Sequence, residues 1–239
     1  EIALARGMAS MTWRDDSGAT HRVRVVAARG TDTVELALES DTDTEMRIRL
    51  RLAPTDDSPA ASFAPDYTGT VAGRTRAGEV GHLEIVDRAA RVVAAVAATT
   101  PGHHVAWRVA EDALEARIHV PSGERRAVRF DLSVTGRSPA PAPGADWDER
   151  LRSQERDHGS LVTSSLLDLH GVPGADAATT GELWREARSG NADAVRHAIE
   201  IAYVSGRSNI IAATGELPPT LQGVWQGTWR PAWSADYTM

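Results

Sequence analysis

The chain has 239 residues, 41% hydrophobic and 25% charged, a globular composition able to bury a sizeable core in one large domain or two. Its formal net charge of −7 gives no general electrostatic case for nucleic acid or an anionic membrane, and neutral ligands suit it as well as any. The absence of cysteine excludes disulfides, thiolate metal sites and cysteine nucleophiles.

No apolar run is long enough to span a bilayer, and "RVVAAVAATT" is both short and Ala-rich. The start, "EIALARGMAS", has no signal-peptide pattern and reads as strand. Glu1 is not an initiator and Met239 follows a dense motif, so the expectation is an internal segment of a longer protein, from either side of a bacterial membrane. Every basic Lys/Arg position is arginine, a compositional hint of a GC-rich bacterial genome.

From Glu1 to about Val134 the hydrophobic period is two. "HRVRVV", "TVELALE", "MRIRLRL" and "ALEARIHV" alternate apolar with charged residues, which predicts strands with one buried and one solvated face. The turn signals "RDDSGAT", "ARGTDT", "ESDTDTE" and "PSGERR" separate them, and predict an antiparallel sandwich. "PTDDSPAASFAPDYTGT" reads as a longer loop.

"GRSPAPAPGAD" then reads as a linker. Asp146, with Glu149 three residues on, predicts a capped helix through "WDERLRSQERDHGSLVTSS". "LLDLHG" predicts a short strand and turn. Asn191 is the expected N-cap of a second strong helix, with Val195, Ala198, Ile199, Ala202 and Tyr203 on one face bedded into a core. Gly206 costs that helix about 1 kcal/mol relative to Ala, which suggests close packing there.

Few residues in this stretch point to chemistry. Glu39, Asp41, Asp43 and Glu45 of "ESDTDTE" lack the glycine and terminal glutamate of a calcium loop and fit an exposed hairpin turn. His103 and His104 fall on opposite faces of a strand and favour no metal. His158 fits an interdomain hydrogen-bonder better than a catalyst. No phosphate loop, G-x-S-x-G elbow or H-E-x-x-H is present, and neither a cofactor nor a metal ligand is expected.

The closing stretch "GELPPTLQGVWQGTWRPAWSADYTM" carries Trp225, Trp229 and Trp233 at a spacing of four, broken by Pro218, Pro219 and Pro231. One reading is a packed loop whose indoles fill gaps under a helical domain. The other is a sugar-binding wall, in which aromatics cover the C–H face of a pyranose while Gln222, Asp236 and Tyr237 bond its hydroxyls.

"LPPTLQGVWQGTWRPAWSADYTM" strongly resembles a signature of glycoside hydrolase family 95, the α-L-fucosidase and α-L-galactosidase family. Leu217, Pro218, Leu221, Gln222, Gly223, Trp225, Pro231, Trp233, Asp236, Tyr237 and Thr238 match in order. Upstream, Tyr203, Gly206 and Arg207 resemble the family's aromatic-x-x-G-R helix. Asp157, His158, Leu161, Leu167, Asp168 and Leu169 are similar to its D-H-x-x-L…L-D-L segment. Departures are Gln226 for an asparagine, Ala232 for a proline, and Ser234-Ala235 for Gly-Ser.

The resemblance implies an α+β chain. Residues 1–137 would form the N-terminal β-sandwich, 138–180 a linker with a helix and short strand, and 181–239 the first helix and loop of a truncated (α/α)6 barrel. It implies substrate binding by Gln222, Trp225, Trp233, Asp236, Tyr237 and Thr238, with a carbohydrate partner and inverting chemistry. The family's water-positioning asparagines and general acid would follow residue 239, so no catalytic residue is expected within the chain and the segment alone is expected to be inactive. At the position of Thr238, fucosidases tend to carry His, and Thr marks members that accept L-galactose. The rival readings are a non-catalytic carbohydrate-binding or structural module and a related (α/α)6 disaccharide phosphorylase.

Overall fold

A computed structural model describes residues 2–51, 72–86, 92–110, 113–133, 146–170 and 178–214. The chain is α+β, an antiparallel sheet region followed by three helices. The strands are β1 (Ile2–Ala3), β2 (Met8–Arg14), β3 (Thr20–Ala28), β4 (Thr33–Ser40), β5 (Thr44–Arg51), β6 (Ala72–Arg76), β7 (Gly81–Val86), β8 (Val92–Thr99), β9 (Arg108–Ala110), β10 (Ala113–Val120) and β11 (Arg125–Ser133). The helices are α1 (Trp147–Thr163), α2 (Thr180–Arg188) and α3 (Ala192–Ala213). The opening "EIALARGMAS" is not one strand, because a 3-10 turn over Leu4–Arg6 and Gly7 at φ +57° interrupt it.

One sheet runs β1-β2-β3-β4-β11-β8-β7-β6 and the other β5-β10-β9, with every pairing antiparallel. The period-two pattern explains their stacking. Leu114, Ala116, Ile118 and Val120 of β10 meet Leu38, Leu83, Ala98 and Val128 of the large sheet, and Met46, Ile48 and Leu50 of β5 pack at the margin. Trp107 closes this core edge-on to Phe130, with ring centroids 6.2 Å apart. Its indole lies against the backbone of Gly81, where a Cβ would sit 2.7 Å from the ring, so glycine is required there.

Two expectations about the strands need correction. "ESDTDTE" is not a hairpin turn, because β4 and β5 belong to different sheets. It is a corner between them, pinned by side chains. Asp41 Oδ1 accepts from Thr20 N at 2.9 Å, and Asp43 Oδ1 accepts from Ser122 N at 2.7 Å. Nor is the charged face of "TVELALE" solvated. α1 lies across it, leaving Glu35 2% exposed, and Met8, Val26 and Ala37 pack with Trp147 and Leu151. The charged alternation hid a second buried layer.

The helices follow local chemistry with one exchange of roles. Asp146 occupies the N-cap of α1 but its carboxylate makes no cap bond; buried Trp147 and the 2.7 Å Arg125–Asp148 pair anchor that turn instead. The capping box forms at α2, between Thr179 and Glu182, a pairing of the sort that contributes about 1 kcal/mol. Asn191 caps α3 as expected, accepting from Asp193 N and Ala194 N. Residues 166–170 form no strand. Their backbone turns away into side-chain acceptors, with His170 N donating to Asp168 Oδ1 at 2.7 Å and His170 at φ +57°.

Candidate functional site

Beneath α1 the outer face of the large sheet carries a line of buried charge. Arg129 and Glu35 are cross-strand partners, as are Asp131 and Thr33. Arg129 Nε donates to Asp131 Oδ1 at 2.9 Å, and Thr33 Oγ1 donates to the same oxygen at 2.8 Å. Arg150 of α1 reaches down to Glu35, with Nε 2.7 Å from Oε2. Burial pushes the Glu35 pKa up, against the pull of Arg150 and Arg129. Enclosed in this way, the carboxyl clamps a helix to a sheet and has no route to a substrate.

The same helix is tied to the first segment of the chain. His158 Nε2 lies 3.1 Å from Leu4 O and the ring is buried, which lowers its pKa. His158 is thus the hydrogen-bonder expected. Gly7 makes this approach possible, since a Cβ there would stand 2.3 Å from Gln154 Nε2 and 2.9 Å from the His158 ring. On the other side of Gln154, its Oε1 accepts from Arg29 N at 2.8 Å.

The two upstream motifs meet in space. Arg207 of α3 donates from Nη2 to Leu161 O at 2.8 Å and to Ser164 Oγ at 2.6 Å, satisfying groups at the C-terminal end of α1 that the helix leaves open. Tyr203 OH and Ser165 Oγ are 2.7 Å apart. Glu200, which no motif had singled out, accepts from Leu169 N at 2.5 Å and also faces His197. Its spacing, one turn before Tyr203 and two before Arg207, was the available signal. Asp157 accepts from Ser153 on an exposed surface and Asp168 holds its own turn. Arg207, Tyr203 and Glu200 tie α3 to the end of α1 and the residues that follow it, while Glu200 also stands 3.4 Å from His197 Nδ1 and Asp168 3.7 Å from His170 Nδ1. A Cβ added at Gly206 would meet nothing within 4 Å among the described residues, so they supply none of the close packing expected there.

The apolar face of α3 is also placed differently from expectation. Val195 is 38%, Ile199 47% and Tyr203 37% exposed, while Ala194, Ala198, Ser208 and Ile211 are buried. α2 covers Ala194 and Ala198 and leaves Val195 and Ile199 along a groove of about 350 Å³, lined by Trp184, Ala187, Arg188, Val195, Ala198, Ile199 and Ala202. Among the described residues the groove has apolar walls and one cation, Arg188, and no carboxylate lines it.

Gln222, Trp225, Trp233, Asp236, Tyr237 and Thr238 lie outside the described residues, as does the loop "PTDDSPAASFAPDYTGT". What is described is the support that leads to the closing segment, namely α3 and its last turn. His103 and His104 sit in the turn after β8 rather than on a strand, and His103 N bonds Thr100 O at 3.0 Å. Among the described residues no group of three His, Asp or Glu is placed to hold a metal ion, and no helix is long and apolar enough to cross a membrane.

Comparison with known proteins bears on this region. The model of the glycosyl hydrolase family 95 catalytic domain matches residues 146–239, as the motif resemblance implies. That span includes α1, α2 and α3. No curated protein matches. A solved structure described as a kojibiose phosphorylase from human microbiome is similar at 10% identity, with a TM-score of 0.42, over 67% of this chain and 24% of that one. The chain spans about a quarter of that protein's length.

Proposed function

We propose that the chain carries the N-terminal sandwich and the opening of the catalytic domain of an inverting glycoside hydrolase acting on α-L-fucosides or α-L-galactosides. The observation that carries this reading is the family 95 catalytic-domain match over residues 146–239. The contacts of Arg207 and Tyr203 with the end of α1 and the residue after its cap support it, because they give two of the motif residues a physical task ahead of the closing loop. In this reading residues 1–137 are the sandwich, 138–180 the linker, and 181–239 the start of an (α/α)6 barrel.

The closing segment then supplies one wall of the sugar site. Trp225 and Trp233 cover the apolar ring face, Gln222, Asp236 and Tyr237 bond its hydroxyls, and Thr238 faces C5. Inversion is a single displacement: an acid protonates the leaving oxygen while an activated water attacks the opposite face of the ring. The resemblance puts both of those agents after residue 239, so residues 1–239 bind or frame the sugar without turning it over.

The test is an assay of the full-length gene product on aryl α-L-fucoside and α-L-galactoside, with NMR of the first-formed sugar. Turnover of either with inverted anomeric configuration is expected. Turnover that requires phosphate, or none on either substrate, would remove this reading. Activity from residues 1–239 alone that vanishes on mutating an acidic residue within them would show that the catalysts are misplaced.

A further inference from the structure

The two faces of the small sheet differ sharply in charge. Met46, Ile48 and Leu50 of β5 and Leu114, Ala116, Ile118 and Val120 of β10 face the core. The alternate positions point outward, and there Arg47, Arg49 and Arg51 of β5, Arg117 of β10 and, on the neighbouring β9, Arg108 are all exposed. Glu45 and Glu115 are the only acidic residues of these three strands. Glu45 Oε1 accepts from Arg117 Nη1 at 3.0 Å on the surface. Glu115 is 3% exposed, bonded by Arg108 and 3.8 Å from Arg49 Nε. Apart from Glu45, the charge that reaches solvent here is a layer of guanidinium groups, on a chain whose formal net charge is −7.

The register concentrates that charge. Arg47 is the direct cross-strand partner of Arg117, and Arg49 and Arg51 follow on the same face at steps of about 7 Å. Like charges set directly opposite destabilise a strand pair. Folding alone gains nothing from this arrangement, whereas an anionic ligand would relieve it.

We propose that the outer face of β5-β10-β9 binds an anionic polysaccharide, a glycan chain bearing sulfate or carboxylate groups. The anionic character is argued from the charge of the face; the choice of a polysaccharide rests on the glycoside hydrolase reading. A guanidinium offers a planar fork of donors to paired anionic oxygens, so charges repeated along a glycan meet arginines repeated along a strand. No Trp, Tyr or Phe lies on these strands, so they lack the stacking platform used for single-stranded nucleic acid.

The experiment measures binding of the full-length gene product to heparin, to polygalacturonate and to neutral dextran. Arg47 and Arg51 are the residues to change, because Arg49 and Arg108 then stay over the buried Glu115. Wild type should bind a charged polymer and not dextran, and binding should weaken steeply between about 50 and about 200 mM salt. Arg47→Gln with Arg51→Gln should weaken it about tenfold or more, with Tm unchanged or higher. Arg152→Gln with Arg156→Gln, the same charge change on the exposed side of α1, should stay within about twofold of wild type. Binding to neither charged polymer, salt-insensitive binding, or an equal loss in both double variants would overturn the proposal. Tighter binding to single-stranded DNA or to phosphatidylserine vesicles would overturn the choice of polysaccharide. A low-salt dimer that the Arg47/Arg51 variant dissolves, with no polymer bound, would assign the face to a second copy instead. These measurements need no turnover, so an inactive wild type would remove the hydrolase reading and leave the binding result standing.

Discussion

Arg150 Nε lies 2.7 Å from Glu35 Oε2, and both side chains are enclosed between α1 and the large sheet. A buried pair of this sort contributes little beyond its desolvation cost, but removing one member strands the other. Arg150→Ala should cost about 3 kcal/mol or more at neutral pH, whereas Glu35→Leu combined with Arg150→Met should be nearly neutral or stabilising. Urea unfolding of the two variants distinguishes these outcomes. Equal losses would mean that the pair itself, rather than the stranded charge, dominates.

Glu35 also sets a pH window. Burial raises its folded pKa above the ordinary 4.5. Between those two values the folded chain holds a proton that the unfolded chain has released. Its contribution to stability is therefore complete below 4.5 and is lost as pH climbs through the raised value. Relative to Glu35→Gln, wild type should become less stable over that window. Unfolding free energies measured from about pH 4 to about pH 7 should show this difference, and a flat comparison would mean the carboxyl titrates normally.

Two glycines should respond oppositely to the same change. Gly7→Ala places a Cβ 2.3 Å from Gln154 Nε2 at a φ of +57°, and should cost about 1–3 kcal/mol. Gly206→Ala adds a methyl where none of the described residues stands within 4 Å, in mid-helix, and should stabilise by up to about 1 kcal/mol. Thermal melts of residues 1–239 carrying each substitution give the comparison. A loss at Gly206 would mean that the position packs against something.

Thr238 offers a substrate test. L-galactose differs from L-fucose by a hydroxyl on C6, which a small hydroxyl-bearing side chain can accommodate and bond. Thr238→His should shift the ratio of kcat/KM toward the fucoside in the full-length gene product. The discrimination should be larger than an apolar pocket achieves, since a site built to bond a hydroxyl penalises its absence. An unchanged ratio would mean that Thr238 does not read C6.

Periodicity read the strands well because Leu114, Ala116, Ile118 and Val120 face a single core, and a period of two records that directly. It misread β4 because Glu35 and Ala37 alternate in the same way whether water or a helix lies beyond them. Arg150, the partner that makes Glu35 tolerable there, lies more than a hundred residues away in sequence. The α2 capping box follows a Thr179-x-x-Glu182 pattern present in the sequence, while the similar Asp146 and Glu149 spacing forms no box. At α3 the i, i+3, i+4 pattern located the helix correctly but could not say which neighbour would cover it, so Val195 and Ile199 stand exposed. The aromatic segment from Gln222 to Thr238, read as a sugar wall from the order of its residues, lies outside the described residues.

The corner at residues 41–43 has a consequence for synthesis. β5 leaves β4 for the other sheet, and its hydrogen-bonding neighbour there is β10, paired from Thr44↔Val120 to Arg51↔Ala113. Loop closure over that distance is slow compared with a hairpin. On a ribosome making the chain from its N-terminus, β2, β3 and β4 can zip as neighbours while β5 waits. Until Val120 has emerged, Met46, Ile48 and Leu50 ride on a strand with both edges open, the stage at which a nascent chain is most in need of a chaperone.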